Sequence, residues 1–117
     1  MTKKKVLVCD DSATDLKHLS AILQSAGCEV LCVQSGEQAI LTARSERPEI
    51  IFLDIIMPDM DGFEACRMIN EDPEIAHIPV IFVSSKDQLA DRVWGKIQGA
   101  HDFIVKPYTA EQILGHL

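Results

Sequence analysis

A run of four apolar residues, Ile50 to Leu53, ends directly on the acid Asp54, and Pro48 and Pro58 bound this segment. An uninterrupted apolar run of this length between turn signals is typical of a strand buried on both faces, as in the middle of a parallel sheet. Ligands of open α/β sheets bind outside the carboxyl ends of the strands, so the position of Asp54 favours a role in chemistry over a role in packing. The alternative is that Asp54 only caps the next turn, because Asp is an ordinary turn residue.

The rest of the chain repeats the same alternation of a short apolar run and a segment with helical spacing. Strands are predicted at residues 6–9, 29–33, 50–53, 79–83 and 103–105. Helices are predicted at residues 12–26, 35–43, 62–69, 86–98 and 109–117, where apolar residues recur three or four apart. Ser12 with Asp15, and Thr109 with Gln112, are the capping residues of the first and last helices. Right-handed crossovers place helices on both faces of a parallel sheet. The alternation therefore predicts an α/β fold, a flavodoxin-like doubly wound (βα)5 sandwich with a five-stranded parallel sheet, as one domain over residues 1–117.

Composition excludes several classes of function. The formal net charge is −7, which argues against a nucleic-acid partner because such binding depends on Lys and Arg. The sequence has neither an apolar run of about 18 residues nor a signal-peptide pattern, so we expect no membrane insertion and a cytoplasmic location. The four cysteines form no C-x-x-C pair and are interpreted as reduced core residues, and the four scattered histidines as surface residues.

Polar side chains follow four of the predicted strands at their carboxyl ends. They are Asp10 and Asp11, Asp54, Ser84 and Ser85, and Lys106. Three carboxylates at one edge of the sheet raise one another's pKa and resist ionising together, unless a divalent cation lies among them. Mg²⁺ suits a site made only of oxygen ligands, while a lysine and a hydroxyl suit the oxygens of a phosphoryl group. The set predicts phosphoryl transfer to a carboxylate.

These residues also carry a resemblance to a known family. The motifs stand in the order Asp10-Asp11, Asp54, Met57-Pro58-x-x-Asp61-Gly62, Ser84, Gly99-Ala100 and Lys106-Pro107. The chain resembles, over essentially its whole length, the receiver domains of two-component response regulators of the single-domain chemotaxis type. Residues 93–100 resemble more narrowly the receivers of chemotaxis-like systems that control twitching motility through type IV pili.

The resemblance implies a phosphoacceptor and a metal site. Asp54 would accept a phosphoryl group from the phosphohistidine of a histidine kinase or phosphotransfer protein. The metal residues would be Asp10, Asp11, Asp54 and Ile56, which bind Mg²⁺ through carboxylates and, for Ile56, through the backbone carbonyl, with Asp10 acting through water. The protein would not be an enzyme beyond catalysing its own phosphorylation and dephosphorylation.

The resemblance also implies a switch. Ser84 and Lys106 would bind the phosphoryl oxygens, Ser84 and Phe103 would act as switch residues, and the Lys106-Pro107 bond would be cis. An effector protein would then read the face formed by the fourth helix, fifth strand and fifth helix of a monomer or weak dimer. Ser84 stands where Thr is commoner, Ser85 where Ala is common, and Phe103 lacks the hydroxyl of a Tyr. These departures concern switching strength and dephosphorylation rate.

Other functions stay open at this point. An aspartyl-phosphate phosphatase-like enzyme also uses an Asp nucleophile with Mg²⁺, but it needs an Asp-x-Asp motif that Asp54 does not begin, and a cap domain. A nucleotide- or flavin-binding domain needs a Gly-rich loop after the first strand, where Asp10 and Asp11 would repel phosphate. A degenerate scaffold would not need the complete acid, hydroxyl and lysine set. The chain could also be a receiver domain cut from a longer regulator. Trp94 could be a partly buried helix residue or a partner contact.

Overall fold

The five strands form one parallel sheet in the computed structural model, which describes residues 3–117. They are β1 (Lys5–Cys9), β2 (Glu29–Val33), β3 (Ile50–Leu53), β4 (Val80–Ser84) and β5 (Asp102–Val105). Their order across the sheet is β2-β1-β3-β4-β5, and every neighbouring pair is parallel. Strand β2 lies on one side of β1, and β3, β4 and β5 follow on the other side. The direction in which strands are added therefore reverses between β1 and β3. The predicted doubly wound (βα)5 fold is confirmed, and its reversal point is where such folds bind ligands.

Five helices connect the strands. They are α1 (Ala13–Ser25), α2 (Gly36–Glu46), α3 (Gly62–Glu71), α4 (Leu89–Ile97) and α5 (Ala110–Leu114). Side-chain oxygens of Ser12, Ser35, Asp61 and Thr109 accept hydrogen bonds from backbone N–H groups in the first turns of α1, α2, α3 and α5. These caps satisfy donors that a helix start leaves free, so the sequence signals located four helix starts correctly.

Several helix boundaries differ from the predictions by two or three residues. Helix α3 runs to Glu71 and not to residue 69, and α5 ends at Leu114 and not at residue 117. Helix α2 runs to Glu46 and not to residue 43, because residues 44–46 are compatible with a helix and only Pro48 is not. Arg47, which precedes this proline, takes a left-handed conformation (φ 50°) and ends α2. Helix α4 starts three residues later than predicted. The Asp91 carboxylate accepts a hydrogen bond from the backbone N–H of Gln88 at 3.3 Å, and this cap defines the start at Leu89.

The core lies on both faces of the sheet. All four residues of β3 and all five of β4 are buried. Phe52 packs with residues of α1 and α5 on one face, while its neighbour Leu53 packs with residues of α2 and α3 on the other. A strand with both faces covered needs no polar alternation, which explains the continuous apolar run that ends on Asp54.

The environments of single cysteines and histidines follow the fold. Cys9, Cys28 and Cys66 are buried and free, but Cys32 is exposed, so its interpretation as a core residue was wrong. The reason is that β2 is an edge strand, and none of its five residues is fully buried. His116 is partly buried, and its Nε2 lies 2.6 Å from the Asp102 carboxylate. None of the helices in the described part of the chain has the length and apolar composition needed to cross a bilayer.

Candidate functional site

Three carboxylates meet at the carboxyl ends of β1 and β3. The register pairs Cys9 with Leu53, so Asp54 lies beside Asp10 and Asp11. One carboxylate oxygen from each of the three acids lies within 4.8 Å of the others. Asp10 and Asp54 are only 5% and 7% exposed, and Asp11 is exposed. The sequence prediction that these acids converge is confirmed, and we call the three the acidic pocket.

Backbone donors orient the two buried acids. The Asp10 carboxylate accepts a hydrogen bond from the Ser12 N–H at 2.9 Å, and the Asp54 carboxylate accepts one from the Ile55 N–H at 2.8 Å. Each bond uses one oxygen of a carboxylate and leaves the other oxygen for another partner. Local turns that directly follow β1 and β3 therefore aim both acids into the pocket.

The electrostatics of the pocket favour a cation. Burial, and after it repulsion from Asp10, raise the pKa of Asp54 to about 6, although the nearby Lys106 ammonium acts in the opposite direction. Without a cation, simultaneous ionisation of the three carboxylates is thus disfavoured. Hard carboxylate oxygens at this spacing are the donor type that Mg²⁺ prefers. The acidic pocket is compatible with Mg²⁺ binding.

Lys106 follows β5 and reaches across the sheet edge to the pocket. Its Nζ lies 2.8 Å from Asp15, 2.9 Å from Asp10 and 3.7 Å from Asp54. Burial lowers the pKa of Lys106, but hydrogen bonds to Asp15 and Asp10 outweigh it and hold the pKa above its ordinary value. The Lys106-Pro107 peptide bond is cis, as predicted. The ammonium is therefore a permanent positive charge beside Asp54.

Sequence reasoning missed the part that Asp15 plays in this site. The sequence indicates only a capping role for Asp15, whose backbone N–H donates to Ser12 Oγ at 3.3 Å. Since α1 starts immediately after β1, its first turn lies at the same edge of the sheet as the acidic pocket. The only available signal was spacing, because Asp15 lies about one helical turn beyond Asp11. Spacing alone does not show that Lys106 arrives from β5.

Ser84, Phe103 and Ile56 are not members of the cluster of acids. Ser84 is the last residue of β4, is fully buried, and its Oγ accepts a hydrogen bond from the Lys86 N–H at 3.3 Å. Phe103 is 9% exposed, and its ring centroid lies 6.0 Å from that of Phe82. The side chain of Ile56 is 54% exposed, two residues after Asp54. The proposed roles of all three stay predictions.

The loop between β3 and α3 depends on Gly62. Its N–H donates to the Ile55 carbonyl at 2.8 Å, and a Cβ built on it would lie 2.1 Å from the Asp54 carbonyl oxygen. Only glycine permits this approach of two backbone segments. Gly62 thus determines the path of the loop that immediately follows Asp54.

Comparison with known proteins agrees with this geometry. Residues 6–117 match the response regulator receiver domain family. The chain is 43% identical to "Protein PilH" of Pseudomonas aeruginosa over 94% of this chain and 91% of that protein. It is 38% identical to "Protein PilG" of the same organism over 95% of this chain and 82% of that protein. The structure of the chemotaxis response regulator CheY4 of Vibrio cholerae superimposes with a TM-score of 0.91, at 31% identity, over 98% of this chain and 96% of that chain. The chain therefore belongs to the response regulator receiver domain family.

Proposed function

We propose that Asp54 is the phosphoacceptor of a two-component or chemotaxis-like phosphorelay. The observation that carries this proposal is the position of Asp54 between two acids and the Lys106 ammonium. A carboxylate oxygen of Asp54 attacks the phosphorus of a donor phosphohistidine and forms a P–O bond. The P–N bond breaks, and its electron pair stays with the imidazole, which leaves as the neutral ring when its other nitrogen carries a proton. The product is an acyl phosphate on Asp54.

The residues around Asp54 would divide the remaining work. Asp10, Asp11, Asp54 and the Ile56 carbonyl would hold Mg²⁺, with Asp10 acting through water. When bound, the cation supplies charge neutralisation for the phosphoryl oxygens and the acids. Lys106 would pair with a phosphoryl oxygen.

Ser84 would donate its hydroxyl to another phosphoryl oxygen, which its place at the end of β4 supports. Because Ser84 is buried, movement of its hydroxyl toward the phosphoryl group leaves room behind it. Phe103, which lies on the neighbouring strand β5, would use that room. This coupling would connect the state of Asp54 to the surface near α4 and β5.

Direct chemical labelling tests the phosphoacceptor. The protein is incubated with acetyl phosphate and Mg²⁺, and its intact mass is measured before and after treatment with hydroxylamine, which cleaves acyl phosphates. We expect one added phosphoryl group, located on the peptide that contains Asp54, lost with hydroxylamine and absent when EDTA replaces Mg²⁺. A hydroxylamine-resistant phosphate, or one on another peptide, contradicts the proposal.

Mg²⁺ should stabilise the fold, because a bound cation relieves repulsion among the three carboxylates. A ligand at about 100 times its Kd adds about 2.7 kcal/mol to the free energy of unfolding. We expect a rise in Tm with Mg²⁺ in the wild type and the loss of most of that rise in Asp11→Ala, measured by differential scanning fluorimetry. Glu37→Ala removes an exposed acid in the first turn of α2 and should keep the full rise. An unchanged rise in Asp11→Ala would exclude Asp11 as a ligand.

The partners would be a histidine kinase or phosphotransfer protein and an effector that reads the face formed by α4, β5 and α5. Large apolar side chains on α4 are exposed: Leu89 (75%), Val93 (50%), Trp94 (51%) and Ile97 (65%). A monomer in solution leaves this surface free for a protein partner. Trp94 lies on the same helix and is half-exposed, which fits both a partly buried helix residue and a partner contact. We propose that it contacts the partner.

Trp94 should report the coupling between the two regions. Beryllofluoride with Mg²⁺ mimics a phosphoryl group on a carboxylate, and we expect it to change Trp94 fluorescence in the wild type. Asp54→Asn should lack the beryllofluoride-dependent change. Phe103→Ala should bind the analogue but show less than about half of the change, because its ring no longer moves against α4. An equal change in Phe103→Ala would place the switch elsewhere.

The wider setting is also part of the proposal. Similarity to PilH and PilG, together with the resemblance of residues 93–100, supports a chemotaxis-like pathway that controls pilus or flagellar motility. The family match over residues 6–117 supports one receiver domain over residues 1–117. The chain would act on its own Asp54, including autodephosphorylation, and not on a separate substrate. A cytoplasmic location stays a prediction from the sequence.

A further inference from the structure

We propose that Asp15 is a positioning residue that holds Lys106 back from the phosphoryl group and so weakens the phosphorylated state. This inference rests on the proposed function of Asp54. Asp15 lies outside the cluster of three acids, in the first turn of α1, and its side chain is 46% exposed. Its role is thus separate from that of the candidate metal ligands.

The Lys106 ammonium directs its hydrogen bonds to two carboxylates of the site. Lys106 Nζ makes hydrogen bonds to Asp15 at 2.8 Å and to Asp10 at 2.9 Å. Its distance to Asp54 is 3.7 Å, which is too long for a hydrogen bond. The shortest contact of the ammonium is therefore with Asp15, on the side of the site that faces α1, and not with the phosphoacceptor.

A cation in the acidic pocket would affect these two contacts of Lys106 differently. Asp10 is buried in the acidic pocket, and a divalent cation there draws on its carboxylate and repels the neighbouring ammonium. Asp15 does not belong to the pocket, so a cation leaves its contact with Lys106 in place. Asp15 then becomes the main carboxylate partner of Lys106 in the loaded site. A phosphoryl group on Asp54 must compete with Asp15 for the same ammonium.

The negative charge of Asp15 acts against a phosphoryl group on Asp54. Asp15 neutralises part of the positive charge that the phosphoryl oxygens would use, and its own negative charge repels them. Both effects disfavour the phosphorylated state. Partial exposure of Asp15 limits their size through solvent screening. We expect removal of this charge to favour a phosphoryl group on Asp54 by about three- to tenfold.

Asp15→Asn tests the proposal, because asparagine keeps the size of the side chain and an oxygen that accepts a hydrogen bond but removes the charge. The measurement is the Kd of beryllofluoride at saturating Mg²⁺, followed through Trp94 fluorescence or by isothermal titration calorimetry. We expect the Kd to fall about three- to tenfold, and the initial rate with acetyl phosphate to rise in the same direction. Mg²⁺ affinity, measured separately, should change much less, since Asp15 is not a ligand.

Control variants separate this role from a structural one. Asp15→Glu keeps the charge within reach of Lys106 and should restore a Kd near that of the wild type. Glu37→Gln makes the same change of net charge on α2 and should leave the Kd unchanged. Asp15→Ser provides a second neutral side chain that suits the first turn of a helix. It should lower the Kd as Asp15→Asn does, and it replaces Asp15→Asn in the test if the asparagine variant folds poorly.

The beryllofluoride Kd values of these variants support or overturn the role of Asp15. A beryllofluoride Kd that rises or stays the same in both neutral variants overturns the proposal, because Asp15 then supports Lys106 in reaching Asp54 or does not affect it. A Kd that falls equally in Glu37→Gln shows an effect of net charge only and also overturns it. If the wild type binds Mg²⁺ but neither beryllofluoride nor a phosphoryl group, the proposed function of Asp54 fails first, and this inference fails with it.

Discussion

Asp54→Asn is expected to abolish phosphorylation by acetyl phosphate and by a phosphohistidine donor. The amide has nearly the same size and fits the buried position, but its oxygen is a poor nucleophile and it lacks the negative charge of a metal ligand. The expected loss is complete within the detection limit of intact-mass spectrometry. Circular dichroism should show that the fold is retained, because burial of an amide in place of Asp54 relieves repulsion from Asp10.

Asp61→Asn provides the matched control for this substitution. Asp61 caps α3 through its side-chain oxygen, which accepts from the Glu64 N–H at 2.9 Å, and asparagine is an equally good cap. It lies in the same loop as Asp54 but outside the acidic pocket, so this variant should be phosphorylated like the wild type. Phosphate that persists on Asp54→Asn would show that another residue is the phosphoacceptor.

Gly62→Ala is expected to destabilise the protein strongly, by about 3 kcal/mol or more. The added Cβ would lie 2.1 Å from the Asp54 carbonyl oxygen and 2.7 Å from the Ile55 Cα. Both atoms belong to the backbone, so the clash is relieved only if the loop after β3 moves. Urea unfolding should show the loss as a lower transition midpoint. The variant should also accept phosphate more slowly, since the displaced segment carries Asp54.

Gly115→Ala is the comparison for Gly62→Ala. A Cβ on Gly115 would lie 3.1 Å from the Glu111 carbonyl oxygen, and the residue has right-handed helical backbone angles. Alanine favours that conformation, so the change in the free energy of unfolding should stay below about 1 kcal/mol. If the Gly62 and Gly115 variants are equally stable, the close approach at Gly62 does not control the loop.

The sequence by itself determined the fold and the convergence of the three acids. Strand and helix periods depend on residues a few positions apart, and parallel strands necessarily bring their carboxyl ends to one edge. Asp10, Asp11, Asp54 and Lys106 were therefore predictable as one site. The caps at Ser12 and Thr109 were predictable for the same local reason.

Only the tertiary structure decided which side chains meet within the site and which surfaces stay uncovered. Lys106 pairs with Asp15, which is 91 residues away in sequence, because the end of β5 and the start of α1 both lie at the edge formed by the carboxyl ends of the strands. Cys32 is exposed because β2 is an edge strand, and four apolar residues of α4 are exposed because they lie on the part of that helix that the described chain leaves uncovered. Such contacts depend on distances between elements, which local patterns do not contain, and so the restraint of Lys106 by Asp15 was not visible in the sequence.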